Sequence, residues 1–176
     1  MTPSELLDKL PAPHLDDLTS VDSDSARAVR PYRRLGSRMK INHIDHICIA
    51  VRDLAAARKI WEPILGKGPD DEYVHEPEQI KVARYYLGEV GFELMESTSP
   101  DGKVAKFIDE HGEGMMVLSL NVDKTEDAID ELSKKDYPFI GGARKFRDCE
   151  FAFIHPKAVN GVLLELIDFE REAPED

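Results

Sequence analysis

Cysteine is scarce in this chain: Cys48 and Cys149 are the two among 176 residues, too few for a disulfide framework. That excludes a small disulfide-stapled scaffold and makes a reduced, cytoplasmic setting the expectation. Long apolar runs are missing as well. No stretch approaches the roughly 20 residues that span a bilayer, so no membrane partner is expected. The opening MTPSELLDKLPAPHLDDL has neither the basic nor the apolar block of a secretory signal. Positive charge is in deficit, and a formal net charge of −12 would be repelled by a nucleic-acid backbone. A Gly-rich phosphate loop, a CxxC pair and a Ser–His–Asp order are absent too.

What is present suits one globular domain. The chain is 41% hydrophobic and 33% charged, and its length suffices to enclose a full core. Charge is unevenly placed. Residues 1–40 hold seven Lys/Arg against six Asp/Glu, a balance of +1, which leaves −13 on the remaining 136. They read as a partly flexible N-terminal extension. Ser4 suits the cap of one short turn, Pro11 and Pro13 end it, and DDLTSVDSDSA is too polar to pack. The basic cluster Arg27, Arg30, Arg33, Arg34, Arg38 and Lys40 closes the extension. It reads either as a solvated linker, the simpler account, or as an arm gripping an anionic ligand or a partner's acidic face.

From residue 41 to 176 the pattern is ordered. HIDHICIAV predicts a strand. DLAAARKIWEPILG predicts a helix with Ala56, Ile60, Trp61 and Ile64 on one side and Gly66 as its stop. A short strand near Tyr73–Val74 and two longer ones, IKVARYYLG and VGFELMES, follow. After a helical VAKFIDEHG the same order returns: strand MMVLSLNV, helix EDAIDELSKKDY, strands EFAFIHP and GVLLELIDF. A shift of 71 residues lays HICIAVRD over VLSLNVDK, and a shift of 72 lays FELMES over LELIDF. Two copies of one βαβββ unit, about 42–98 and 113–169, are therefore expected. The fold class is α+β, with a cleft between curved mixed sheets.

Side chains alternate across a strand. On the last strand Glu165 shares a face with Leu163 and Ile167; Glu93 stands likewise between Gly91 and Met95. His46 shares its face with Ile44 and Cys48, and its repeat equivalent is Val117. The repeat thus names four matching positions, three of which carry groups that bind metals. Two carboxylates facing one cleft cost several kcal/mol in desolvation and repulsion unless something compensates. A cation on His46, Glu93 and Glu165, a shared proton, water reaching the site, or pairing with a Lys or Arg elsewhere would each serve. One imidazole with two carboxylates leans towards Mn, Fe, Mg or Co rather than thiolate-seeking metals. Cys48 reads as a small buried hydrophobe, His155 as a turn-orienting side chain, and Cys149 as disfavoured for a thiolate by its acidic neighbours.

IDHICIAVRDL, EPEQIKVARYYLG, FELMES, VAKFIDEHGEG and FIHPKAVNGVLLELID resemble the methylmalonyl-CoA epimerases. More broadly they resemble the vicinal oxygen chelate superfamily, which includes the lactoylglutathione lyases. The likeness spans about residues 42–169. It implies a divalent metal (Mn, Fe, Co, Ni, Mg or Zn) at His46, Glu93 and Glu165, an enolate formed from a small acid or CoA thioester, Glu165 as base, and a homodimer. Three departures stand out. Val117 replaces a second metal-binding histidine, Val82 replaces an additional acid, and Phe146-Arg147-Asp148-Cys149 replaces a Gly-rich loop. They leave epimerase, isomerase and lyase chemistry open, with a metal-free binding or regulatory module as the alternative. A lactoylglutathione lyase or a dioxygenase is less favoured, the latter because its two-His, one-carboxylate triad is incomplete.

Overall fold

The structure, a computed structural model, describes residues 39–170. Of the N-terminal extension, the turn at Ser4 and the arginines of the basic cluster lie outside the described residues.

The chain runs β1 (Ile41–Ala50), α1 (Leu54–Leu65), β2 (Asp71–His75), β3 (Ile80–Leu87), β4 (Val90–Ser97), α2 (Lys103–His111), β5 (Gly114–Val122), α3 (Thr125–Ser133), β6 (Arg144–Phe146), β7 (Cys149–Ile154) and β8 (Leu163–Ile167). Among the described residues, eight strands join one sheet in the order β2-β3-β4-β1-β5-β8-β7-β6. The order is symmetric about the antiparallel β1–β5 pair, and each of those strands runs parallel to the last strand of its own unit, β4 or β8. The two units therefore form a single curled mixed sheet rather than two sheets side by side. Strand β6, three residues long, has no counterpart in the predicted elements.

Helix α1 begins where Asp53 accepts the backbone N–H of Ala56 and ends at Gly66, whose left-handed φ of 71° lets its own N–H reach the Glu62 carbonyl. Its core face differs from the expected one. Leu54, Ala57, Trp61 and Leu65 meet the convex side of the sheet at Tyr85, Phe92 and Leu94, while Ile60 and Ile64 are exposed. Two apolar stripes overlap on this helix. The stripe that carries both Trp61, packed 4.8 Å from Phe92, and the small Ala57 fits more closely against the sheet. Helix α3 covers the convex face of the second unit through Ala128 and Leu132. Helix α2, the link between units, packs Val104 and Ile108 onto Cys48, Val82, Met95 and Val117 at one end of the concave side.

The sheet curls far enough for its two edges to meet. Tyr73 of β2 lies 5.0 Å from Phe146 of β6, ring centre to ring centre, and Arg147 bonds Asp71 at 2.8 Å. The concave face thereby becomes a cleft of about 860 Å³, open mouth included, lined mainly by apolar side chains.

Candidate active site

At the floor of the cleft stand His46, Glu93 and Glu165, three residues far apart in sequence and each nine-tenths or more buried. Strand β1 sits at the centre of the sheet between β4 and β5, so its side chains reach both halves of the cleft. His46 Nε2 lies 3.1 Å from Glu165 Oε2 and 3.8 Å from Glu93 Oε2. Val117, the fourth matching position, lines the same floor without a donor.

Four further polar groups at this floor escaped the sequence reading. Asp45 should point away from His46 by strand alternation, yet both are buried. The β1–β5 register slips between Ile44 and His46, and this bulge turns Asp45 inward. Its Oδ1 accepts from His46 Nδ1 at 2.7 Å and from Arg84 Nη2 at 2.7 Å. Arg84, opposite Glu93 in the β3–β4 ladder, donates Nη1 to Glu93 Oε1 at 3.3 Å. Tyr73 donates its hydroxyl to the same oxygen at 3.1 Å. Ser119 donates to Glu165 Oε2 at 2.5 Å. Gly91 was a usable signal for Arg84: a glycine inside a strand marks close approach, and a Cβ there would stand 2.7 Å from Arg84 Nε.

The electrostatics follow from these contacts. Burial would raise the Asp45 carboxyl, but the hydrogen bond and charge of His46, with Arg84, hold it down at about 2. Burial opposes a charged His46, and the carboxylates Glu93 and Glu165, with the Asp45 bond, overcome that and raise it well above the usual imidazole value. Burial and the charge of Glu93 push the Cys48 thiol far up. Burial, with Asp168 and Asp148 nearby, pushes Cys149 up to about 12. His155 lies away from this floor, where its Nδ1 accepts from Lys157 N and caps a short turn.

These residues fit a divalent cation. The ionised Asp45 only accepts hydrogen bonds, so His46 Nδ1 donates and Nε2 faces the cleft, the arrangement common around metal-bound imidazoles. On Glu93, Arg84 and Tyr73 occupy Oε1 and leave Oε2 turned towards His46. Donor atoms of His46, Cys48 and Glu93 all lie within 4.8 Å of one another. Glu165 approaches this trio from the second unit through His46. Also lining the cleft, Glu78 takes Lys103 at 2.8 Å and Arg144 at 2.7 Å.

The architecture agrees with what the chain is similar to. A family model described as Glyoxalase/Bleomycin resistance protein/Dioxygenase superfamily matches residues 45–153. The mitochondrial methylmalonyl-CoA epimerase of Homo sapiens is 31% identical over 135 residues, 74% of this chain and 76% of that protein. The uncharacterized protein YqjC of Bacillus subtilis is 30% identical over 134 residues, 73% of this chain and 93% of that one. The crystal structure of methylmalonyl-CoA epimerase from Mycobacterium tuberculosis superposes with a TM-score of 0.68 at 27% identity, covering 72% of this chain and 87% of that one.

Proposed function

This chain belongs to the Glyoxalase/Bleomycin resistance protein/Dioxygenase superfamily, and we propose that it is an enzyme of enolate chemistry on a small acid, presented as a CoA thioester, with Glu165 as base. One observation carries the reading. Glu165 Oε2 stands 3.1 Å from His46 Nε2 at the floor of an apolar cleft, and among the described residues no Lys or Arg pairs with it. A buried carboxylate so placed is suited to accept a proton from the carbon beside a carbonyl. Ser119 fixes the carboxylate that receives it, Asp45 fixes the imidazole beside it, and the apolar walls exclude water from the carbanion. A divalent cation at His46, Glu93 and Glu165, when bound, supplies the polarisation that lets enolate charge develop.

The substrate class is supported by the name of the human relative, a methylmalonyl-CoA epimerase. The exact reaction is left to epimerase, isomerase or lyase chemistry by Val82, which is fully buried on β3 and gives the cleft no acid at that position. The free thiols Cys48 and Cys149 suit a reducing cytoplasmic setting, and a homodimer is part of the same reading. The decisive test follows exchange of the α-proton for deuterium on methylmalonyl-CoA, propionyl-CoA and α-hydroxy acids by NMR. Exchange by the native protein, reduced about 10²–10⁴-fold in Glu165→Gln, is expected for a positioned base. Exchange that Glu165→Gln leaves unchanged would overturn the role of Glu165.

A second reading has its own observation. With His46 protonated, the buried cations Arg84 and His46 offset two of the three carboxylates Asp45, Glu93 and Glu165 without any metal. A metal-free binding or regulatory module would use the cleft in that state. It predicts an acyl-CoA bound with no stoichiometric metal and recovered unaltered.

A further inference from the structure

We propose that Cys48 supplies the ligand that Val117 cannot, so that the cation at the cleft floor is held by His46 Nε2, Glu93 Oε2 and Cys48 Sγ. The inference rests on the metal-dependent form of the proposed function and changes its ligand set. Cys48 and Val117 are direct partners across the β1–β5 pair. A donor missing from β5 is therefore replaced from the adjacent backbone position rather than from a distant loop. The thiol is 3% exposed, lies 3.0 Å from Glu93 Oε2, and both it and Glu93 belong to the trio whose donor atoms fall within 4.8 Å. Tetrahedral bonds of about 2.3 Å to sulfur and 2.0–2.1 Å to nitrogen or oxygen put such ligands about 3.4–3.6 Å apart. The 3.0 Å sulfur–oxygen and 3.8 Å nitrogen–oxygen separations straddle that edge length.

Chemistry separates this arrangement from a buried thiol that merely fills space. The hydrogen of Cys48 now points at the one Glu93 oxygen that Arg84 and Tyr73 leave open. A cation would take that hydrogen's place, the sulfur binding as thiolate and the proton leaving to solvent. A thiolate in the set shifts preference away from Mg and Mn and towards Zn, Co and Fe. The trio comes entirely from the first unit, and Glu165 approaches it from the second through His46.

The test loads the full, reduced chain with Co(II) and records its near-ultraviolet absorption, where thiolate-to-cobalt charge transfer appears. The expected result is a band at one cobalt per chain that disappears in Cys48→Ser, persists in Cys149→Ser, and accompanies roughly a 10–100-fold loss of cobalt affinity in Cys48→Ser, comparable to losing a supporting group of a metal site. Should the Cys48 variant misfold, X-ray absorption of the zinc-loaded native chain reads the same point through a sulfur neighbour at about 2.3 Å. Stoichiometric metal without a sulfur neighbour, or a band that survives in Cys48→Ser, overturns the inference and leaves the metal-dependent reading standing. Failure to bind either cobalt or zinc overturns the inference together with the metal, whereas Glu165-dependent proton exchange is scored separately.

Discussion

The two units of the sheet carry the same carboxylate in the same place and treat it in opposite ways. Glu93 on β4 faces Arg84 across its ladder; Glu165 on β8 faces Phe153 at the matching rung. One carboxylate is therefore anchored by a guanidinium and a phenol, while the other meets a ring, a serine hydroxyl and the imidazole from the opposite unit. The first unit also supplies Asp45, His46 and Cys48, where the second offers Met116, Val117 and Ser119. The floor is symmetric in shape and asymmetric in charge; under the proposed function its charge-matched side is the one that holds and its sparsely partnered side the one that reacts.

The largest expected effect tests the reacting side. Glu165→Gln should lower α-proton exchange by about 10²–10⁴-fold, while its amide oxygen still accepts from Ser119. Glu93→Gln should cost more stability than Glu165→Gln, since Arg84 loses a charged partner. Equal stability losses in the two variants, measured by urea denaturation, would break the comparison. Next comes the holding side itself. Arg84→Leu strands Asp45 and Glu93 as buried carboxylates without a guanidinium, which should cost about 3–5 kcal/mol in the same experiment.

A pH titration of stability isolates Asp45. Its folded carboxyl lies at about 2, against roughly 3.9 in an unfolded chain, so folding is favoured by roughly 2–3 kcal/mol when it is ionised. The sign follows from the lowered folded value. The contribution is complete above about pH 4 and is lost as pH falls through about 2. Asp45→Asn should flatten that acid limb; an unchanged limb would detach Asp45 from the floor's charge balance. The raised His46 acts in the opposite direction in chelator-treated protein. Its contribution is complete below about pH 6.5 and fades as pH rises through its higher folded value, read as a falling melting temperature at alkaline pH. The smallest effect sharpens the asymmetry directly. Val117→His should cost about 1–2 kcal/mol by overpacking, yet retain more metal after dialysis than the native chain.

Much of this is legible in the amino-acid sequence. The 71- and 72-residue self-similarity yields two units, and strand parity turns His46, Glu93 and Glu165 to one face. The sequence reading left room for a Lys or Arg elsewhere to compensate the carboxylates, and Arg84 is such a partner for Glu93. It went unassigned because pairing it required the β3–β4 register. Asp45 was missed for a different reason. Alternation is a rule for regular strands, and the bulge before His46 suspends it for one residue. The α1 face was misread because Ile60 and Ile64 are as apolar as the side chains that pack. A hydrophobic count does not see the fit of Trp61 against Phe92.

Sequence by itself determined the duplicated unit, the faces of its strands and the residue types at the floor, since these depend on local periodicity and on matching positions along the chain. Tertiary structure alone decided which carboxylate is neutralised, which donors converge and that the sheet edges meet at Tyr73 and Phe146. Those outcomes depend on ladder register, one bulge and accumulated sheet curl, all of which arise only when strands distant in sequence hydrogen-bond to one another.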